Sequence, residues 1–361
     1  MMKKRYDFMD VIRFLSMAGI VYYHLLATLY LCGIRQYESI SPFFENNNIH
    51  VATVGVGLFF MISGAGLMLS TKDKEHLNLK EYYKKRFFRV LVPFYVVYVL
   101  DLIAILLLSN EGIESIFNQN PSPFAFIFTL FGMDAYISSF GVATFSLGIG
   151  EWFLGALIMM YIIFPFLRWA LLKNKWISFL VATVYYIIVL VTYQYMPYAD
   201  RVPGFTNFTC KVYEFFLGMF FILVIEKIPK WIAAVAAPVI IFFLVYPAKL
   251  PIDMNLSILI ANVAFFMLFV GLEKFFNKIP RVIKVISFLC GFSYEFFLVH
   301  HVIIQYMTLQ HIGVPFGNKD VLILFAQEIG VIVIFTILVK GILSLPKAIK
   351  SRKAAKTGGN Y

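Results

Sequence analysis

Along the chain, long apolar stretches alternate with short segments in which Lys, Arg, Asn and Pro gather. The stretches fall near 8–31, 50–71, 90–108, 151–171, 177–195, 209–226, 231–247, 254–272, 285–309 and 320–342. Most approach the roughly 20 residues a helix needs to cross the hydrocarbon layer. A chain crossing that layer satisfies its backbone polar groups within helices or a closed barrel. The pattern therefore predicts an all-α, polytopic membrane protein of about ten transmembrane helices. No span repeats another, and no connection is long enough for a separate domain. The longest, 109–150, contains FAFIFTLFG at 124–132, too short to cross and read as a re-entrant or interfacial piece. Residues 1–345 are expected to form one integral membrane domain, and 346–361 a disordered basic tail.

Composition agrees with that pattern. Of the 361 residues, 61% are hydrophobic and only 14% charged, and the mean hydropathy is +0.81. A soluble domain is about half apolar and a quarter charged. The net charge of +11 could point to nucleic acid, but its distribution points elsewhere. With ten spans, 23 of the 31 Lys and Arg fall in segments on the side of the termini and 4 on the other. By the positive-inside rule both termini are cytoplasmic, and the charge reports topology. No nucleic-acid partner is expected.

Cys32, Cys210 and Cys290 are far apart and form no C-x-x-C pair, so neither a disulfide nor a metal site is expected. Leu29-Tyr30-Leu31-Cys32 has the outline of a lipoprotein cleavage site. Leu31 is too large for it and the apolar run too long for a signal peptide, so the first span is read as retained.

That first span carries Asp10, Arg13 and His24 within DFMDVIRFLSMAGIVYYHL. At about 100° per residue the three share one helical face, with His24 about 16 Å beyond Arg13. Ionisable groups in a span cost roughly 2.5–3.5 kcal/mol each and normally face a cavity or a partner. Arg13 and Asp10 could be an ion pair snorkelling at the inner interface. His24 lies too deep for that; it is either a hydrogen-bonded core residue or part of a site. The first basic connection ends in YYKKRFFRVLVPF, with Lys84, Lys85, Arg86 and Arg89 at the mouth of the third span. Topology alone can account for such charge, but the planar fork of Arg also suits phosphate oxygens. A phosphate site with an imidazole above it suits a ligand with a phosphorylated head and a long reactive arm. Acyl-coenzyme A fits this description.

The same residues carry a resemblance. D-x-x-R-x10-H (Asp10, Arg13, His24), GVGLFFMISG at 55–64, KKRFFRVLVPF at 84–94, WFLGALIMMYIIFP at 152–165 and SYEFFLVHH at 293–301 follow one another in order. Together they resemble the integral-membrane acyltransferase-3 family, bacterial enzymes that typically acetylate hydroxyls of surface glycans. Two positions depart from it: Gly57, where members often have Asp, and Ala65, where they have Phe. Without the esterase-like extension some members carry, transfer is expected to finish within the membrane part.

The resemblance implies an O-acyltransferase of the bacterial plasma membrane. It would move an acetyl group from acetyl-CoA to a glycan or lipid-linked sugar, among membrane lipids and without a metal. It implies His24 as catalytic base with Arg13 and Asp10 in the same site, and Arg86, Arg89 and Lys85 near the coenzyme A phosphates. His300 would either line the site or serve structure, whereas His301 points elsewhere. Glu295 would pair with a basic group. Glu151 and Trp152 lie at the outer mouth, where Glu151 either meets acceptor or is simply solvated. Ser63 either donates to an oxyanion or, with Gly64, allows close packing. Chemically, an alcohol attacking a thioester needs a base near the working pH, which imidazole supplies, and a thiolate leaves readily. The oxyanion donors and the oligomeric state, homo-oligomer included, stay open. The alternative is a secondary transporter using the same buried charges, although the repeats and paired broken helices typical of that class are missing. A serine hydrolase is not expected, because G-x-S-x-G is absent.

Overall fold

The computed structural model describes residues 6–34, 48, 49, 51–108, 121–246, 248–314 and 316–357. Among them are α1 (Asp7–Leu31), α2 (Val51–Thr71), α3 (Leu79–Leu108), α4 (Phe126–Leu130), α5 (Asp134–Ser138), α6 (Glu151–Lys173) and α7 (Lys175–Thr192). They continue with α8 (Phe208–Val224), α9 (Ile232–Val245), α10 (Met254–Phe276), α11 (Pro280–Cys290), α12 (Ser293–Leu309) and α13 (Asn318–Thr357). No strand occurs among the described residues. Eight of the helices are long and apolar enough to cross a membrane; α11 and α12, bent by 61°, act as a ninth if taken together. The apolar α9, with 14 residues, falls where a tenth span was read. The chain is an all-α polytopic membrane protein.

Three boundaries differ from the pattern. Helix α3 begins at Leu79 rather than near 90. Its first turns carry Leu, Lys, Glu and Tyr without Gly or Pro, and the Asn78 side chain accepts from the Glu81 N–H at 3.0 Å. The 285–309 span breaks at Gly291–Phe292. Helix α13 runs on to Thr357, through a stretch whose Lys, Arg and Ala favour helix. Of the charges used for topology, Lys3, Lys4, Arg5 and Arg35 lie outside the described residues.

Helices α2 and α8 form the centre. Glycines set their distance: a Cβ at Gly64 would collide with the Phe215 carbonyl, and one at Gly218 with the Met61 carbonyl. Without a hydrophobic drive between helices in lipid, such close backbone approach supplies the packing energy. By contrast α7 and α13 leave large apolar side chains such as Ile177, Leu180, Ile334 and Ile337 exposed, as lipid-facing surfaces do.

The basic face is tied by polar bonds. Both Glu273 carboxylate oxygens, on α10, accept from the first N–H groups of α1, Asp7 at 3.0 Å and Phe8 at 2.8 Å, where a helix start favours an anion. Arg168 on α6 donates to the Thr71 and Lys74 carbonyls. The 124–132 segment turns back on itself. Helices α4 and α5 meet at Gly132 (φ +63°), which packs between Leu91 of α3 and Leu154 and Ile158 of α6. Tyr95 of α3 holds this hairpin through the Leu130 carbonyl, and Tyr98 holds the loop that follows it through the Phe145 carbonyl.

Candidate active site

Three helices converge near the end of the bundle opposite the basic face. Helix α1 brings His24, α12 brings His300 and His301, and α6 begins with Glu151. The segment before α6 reads Gly148-Ile149-Gly150, with φ +76° and +71° at the two glycines. Glu151 itself has φ +44°, a left-handed conformation that costs a non-glycine residue about 1–3 kcal/mol and clusters at functional sites. This elbow directs the carboxylate between two imidazoles. His301 Nε2 stands 2.9 Å from Glu151 Oε1, and His24 Nε2 stands 3.6 Å from Oε2. The His24 ring lies 4.9 Å from that of His301 and 5.2 Å from that of His300.

His300 is buried, with Nδ1 2.6 Å from the Phe297 carbonyl. A carbonyl only accepts, so Nδ1 carries the hydrogen, and in the neutral ring Nε2, buried with no partner among the described residues, is a lone pair. His301 donates from Nε2 to the carboxylate, and its Nδ1 is buried with no hydrogen-bond partner among the described residues. Aromatic rings line the site toward the basic face. Phe153 stacks on Phe60 at 4.8 Å and meets Phe297 edge-on at 4.7 Å, while Trp152 lies 6.2 Å from Phe60.

The other residues picked from the sequence are elsewhere. Arg13 Nη1 bonds Asp10 Oδ1 at 3.1 Å, and Asp10 Oδ2 accepts from Ser287 on α11 at 2.7 Å. With His24 about 16 Å farther along the same helix, this pair fastens α1 to α11 and does not share the imidazole site. Ser63 is one turn from Phe60 toward the basic face, in the segment that packs on α8. Buried Glu295 pairs with Lys340 of α13 at 2.8 Å, and Lys340 also donates to the Gly291 carbonyl at the helix break.

Arg86 and Arg89 part company. Arg86 turns inward and sets its guanidinium 5.6 Å from the Tyr161 ring. Tyr161 lies ten residues, about 15 Å, below Glu151 along α6. Arg89 instead joins Glu81, Lys84, Lys85 and Phe88 around a surface groove of about 480 Å³, with Lys85 paired to Glu81.

A family model described as an acyltransferase domain, Acyl_transf_3, matches residues 6–345, nearly the whole chain. The chain belongs to the acyltransferase-3 family. No curated protein and no solved structure matches it. Within that family it is a membrane acyltransferase, and the imidazole–carboxylate cluster is its candidate catalytic centre.

The sequence leaves Glu151 between acceptor contact and a solvated helix mouth, and turns His301 away from His300; in the structure both side chains stand beside His24. The Gly-Ile-Gly run before Glu151 is the one local signal that could have drawn attention to it. A second polar group went unremarked. Lys211 Nζ and Asn262 Nδ2 both donate to buried Glu214 Oε1, at 2.7 and 3.0 Å. They lie beside Gly57, where a Cβ would collide with Glu214 and Asn262. An Asp at 57, common in the family, would therefore meet a carboxylate already present from α8.

Proposed function

We propose that the protein transfers an acyl group, most simply acetyl, from acyl-coenzyme A on the cytoplasmic side to a hydroxyl of a cell-surface or lipid-linked glycan. The membrane is the bacterial plasma membrane. The single observation supporting this chemistry is the convergence of His24 and Glu151, from distant parts of the chain, in a cluster far from the basic face. Aliphatic side chains would fill such a place at lower cost.

His24 acts as general base. With its Nε2–H toward Glu151, its other ring nitrogen takes the proton of the acceptor hydroxyl as that oxygen attacks the thioester carbonyl. The carbon–sulfur bond breaks, the thiolate departs toward the basic face, and the proton on His24 is then released to it. Glu151 stabilises the transient imidazolium, and the His301 bond holds the carboxylate in place. The 3.6 Å separation suits a resting site, since catalytic hydrogen bonds often tighten only with substrate bound. Donor phosphates rest in the groove of Lys84, Lys85 and Arg89, with Arg86 on the inward side where the thioester arm enters.

Purified protein in nanodiscs, given acyl-coenzyme A and a glycan extract, should lose transfer in His24→Ala by about 10²–10⁴-fold, as expected for a missing general base, while remaining monodisperse. Retained turnover in that variant refutes the base. Glycan mass spectra from cells with and without the gene identify the acceptor: an acetyl ester should disappear with the gene.

A further inference from the structure

Glu151 and its two imidazoles have a second chemical capacity. We propose that His24, Glu151 and His301 chelate a divalent cation of the zinc class, and that its binding switches acyl transfer off. One donor atom from each residue, on three different helices, lies within 4.8 Å of the other two. Zinc–ligand bonds of about 2.0–2.2 Å in a tetrahedron place neighbouring donors roughly 3.4 Å apart. His301 Nε2 is 2.9 Å from Glu151 Oε1 and His24 Nε2 is 3.6 Å from Oε2, so each imidazole has one carboxylate oxygen at a separation near that value. Two imidazoles with one carboxylate leave a fourth position open and suit zinc; magnesium and calcium prefer all-oxygen shells.

The surroundings favour preorganisation. The elbow at Glu151 fixes one ligand, and packed helices fix the other two. His300, its ring 5.2 Å from that of His24, borders the three donors and is held by its Nδ1–H on the Phe297 carbonyl. The consequence for catalysis rests on the function proposed above. A cation on His24 Nε2 binds the tautomer in which the neutral ring's single N–H has moved from Nε2 to Nδ1. The nitrogen that would receive the hydroxyl proton is then no longer basic. Chelation itself does not depend on that reading.

The test uses the full chain in nanodiscs, without a polyhistidine tag, stripped with EDTA and titrated with zinc chloride. Calorimetry and elemental analysis should give one zinc per chain. Loss of an outer-shell partner alone weakens metal binding about 10–100-fold, so His301→Ala, His301→Gln and Glu151→Gln should each weaken it at least about tenfold. Size-exclusion profiles establish that the variants remain folded, and the Gln variants preserve side-chain shape. Transfer by the wild type should fall over the zinc range that fills the site and return with EDTA. No zinc bound by the wild type, or affinity unchanged in all three variants, overturns the site. Transfer that rises with zinc overturns the switch. A protein that binds zinc but never transfers an acyl group upholds the chelating site and refutes the proposed function instead.

Discussion

At the scale of single residues, Gly57 shows how one absent side chain reorganises its neighbourhood. Glu214 and Asn262 fill the space a side chain at 57 would need, and Lys211 is buried with them. Breaking a buried ion pair by removing one partner costs about 3–5 kcal/mol, so the packing around this group is unforgiving. Gly57→Ala should destabilise by roughly 1–3 kcal/mol, the usual cost of overpacking a dense core. Gly57→Asp should do worse, because it adds a second carboxylate beside Glu214. Thermal unfolding in detergent ranks the two variants, and an unshifted midpoint for Gly57→Asp would show that the space is not closed. The sequence exposes the glycine as a departure from its family, but the carboxylate that fills the gap comes from another helix and has no local signature.

At the scale of elements, the α4–α5 hairpin carries its own titration. Asp134, outside the spans and almost fully buried, is pushed up to about 6 by loss of solvent, opposed in part by the Ala135 N–H it accepts from. The ordinary value is 3.8. The folded chain therefore binds this proton more tightly than the unfolded one. The associated stability is complete below about 4 and is lost as the pH rises through about 6. Asp134→Asn should remove that slope and raise stability above neutral pH, by an amount on the order of 1–3 kcal/mol. Unfolding midpoints of both forms from pH 4 to 8 check this; parallel curves would refute it. That 124–132 was too short to cross is legible from its length. Its insertion between α3 and α6 is not, because it depends on Gly132, on Gly155 of α6, where a Cβ would collide with Tyr136, and on Tyr95 of a neighbouring helix.

At the scale of the whole molecule, polar chemistry divides between two ends. The basic end holds the groove with Arg89 and the inward-facing Arg86, and the other end holds the imidazoles, with aromatic rings of α2, α6 and α12 between them. If donor phosphates occupy the groove, Arg89→Ala should raise the donor KM by roughly tenfold, worth about 1.4 kcal/mol, with little change in kcat. The effect should shrink as salt increases. Arg86→Ala should lower kcat as well, because it also loses the Tyr161 contact on the inward side, where the proposed thioester arm enters. Steady-state kinetics over a salt series separate the two, and an unchanged KM for Arg89→Ala would return the groove to topology alone.

The chain by itself determined that it is a helical membrane protein, nearly where each helix runs, and which family it joins. Burial in lipid depends on runs of about 20 neighbouring residues, and family motifs are likewise contiguous. His24 stood out for the same local reason, as an imidazole too deep in a span to reach water. Tertiary structure alone decided its company. It joined Asp10 to Ser287 of another helix, turned Arg86 inward and left Arg89 on the surface groove, and set Glu151 between His24 and His301. Those outcomes depend on which faces of distant helices meet, and the energies that select them belong to pairs of residues the linear order keeps apart.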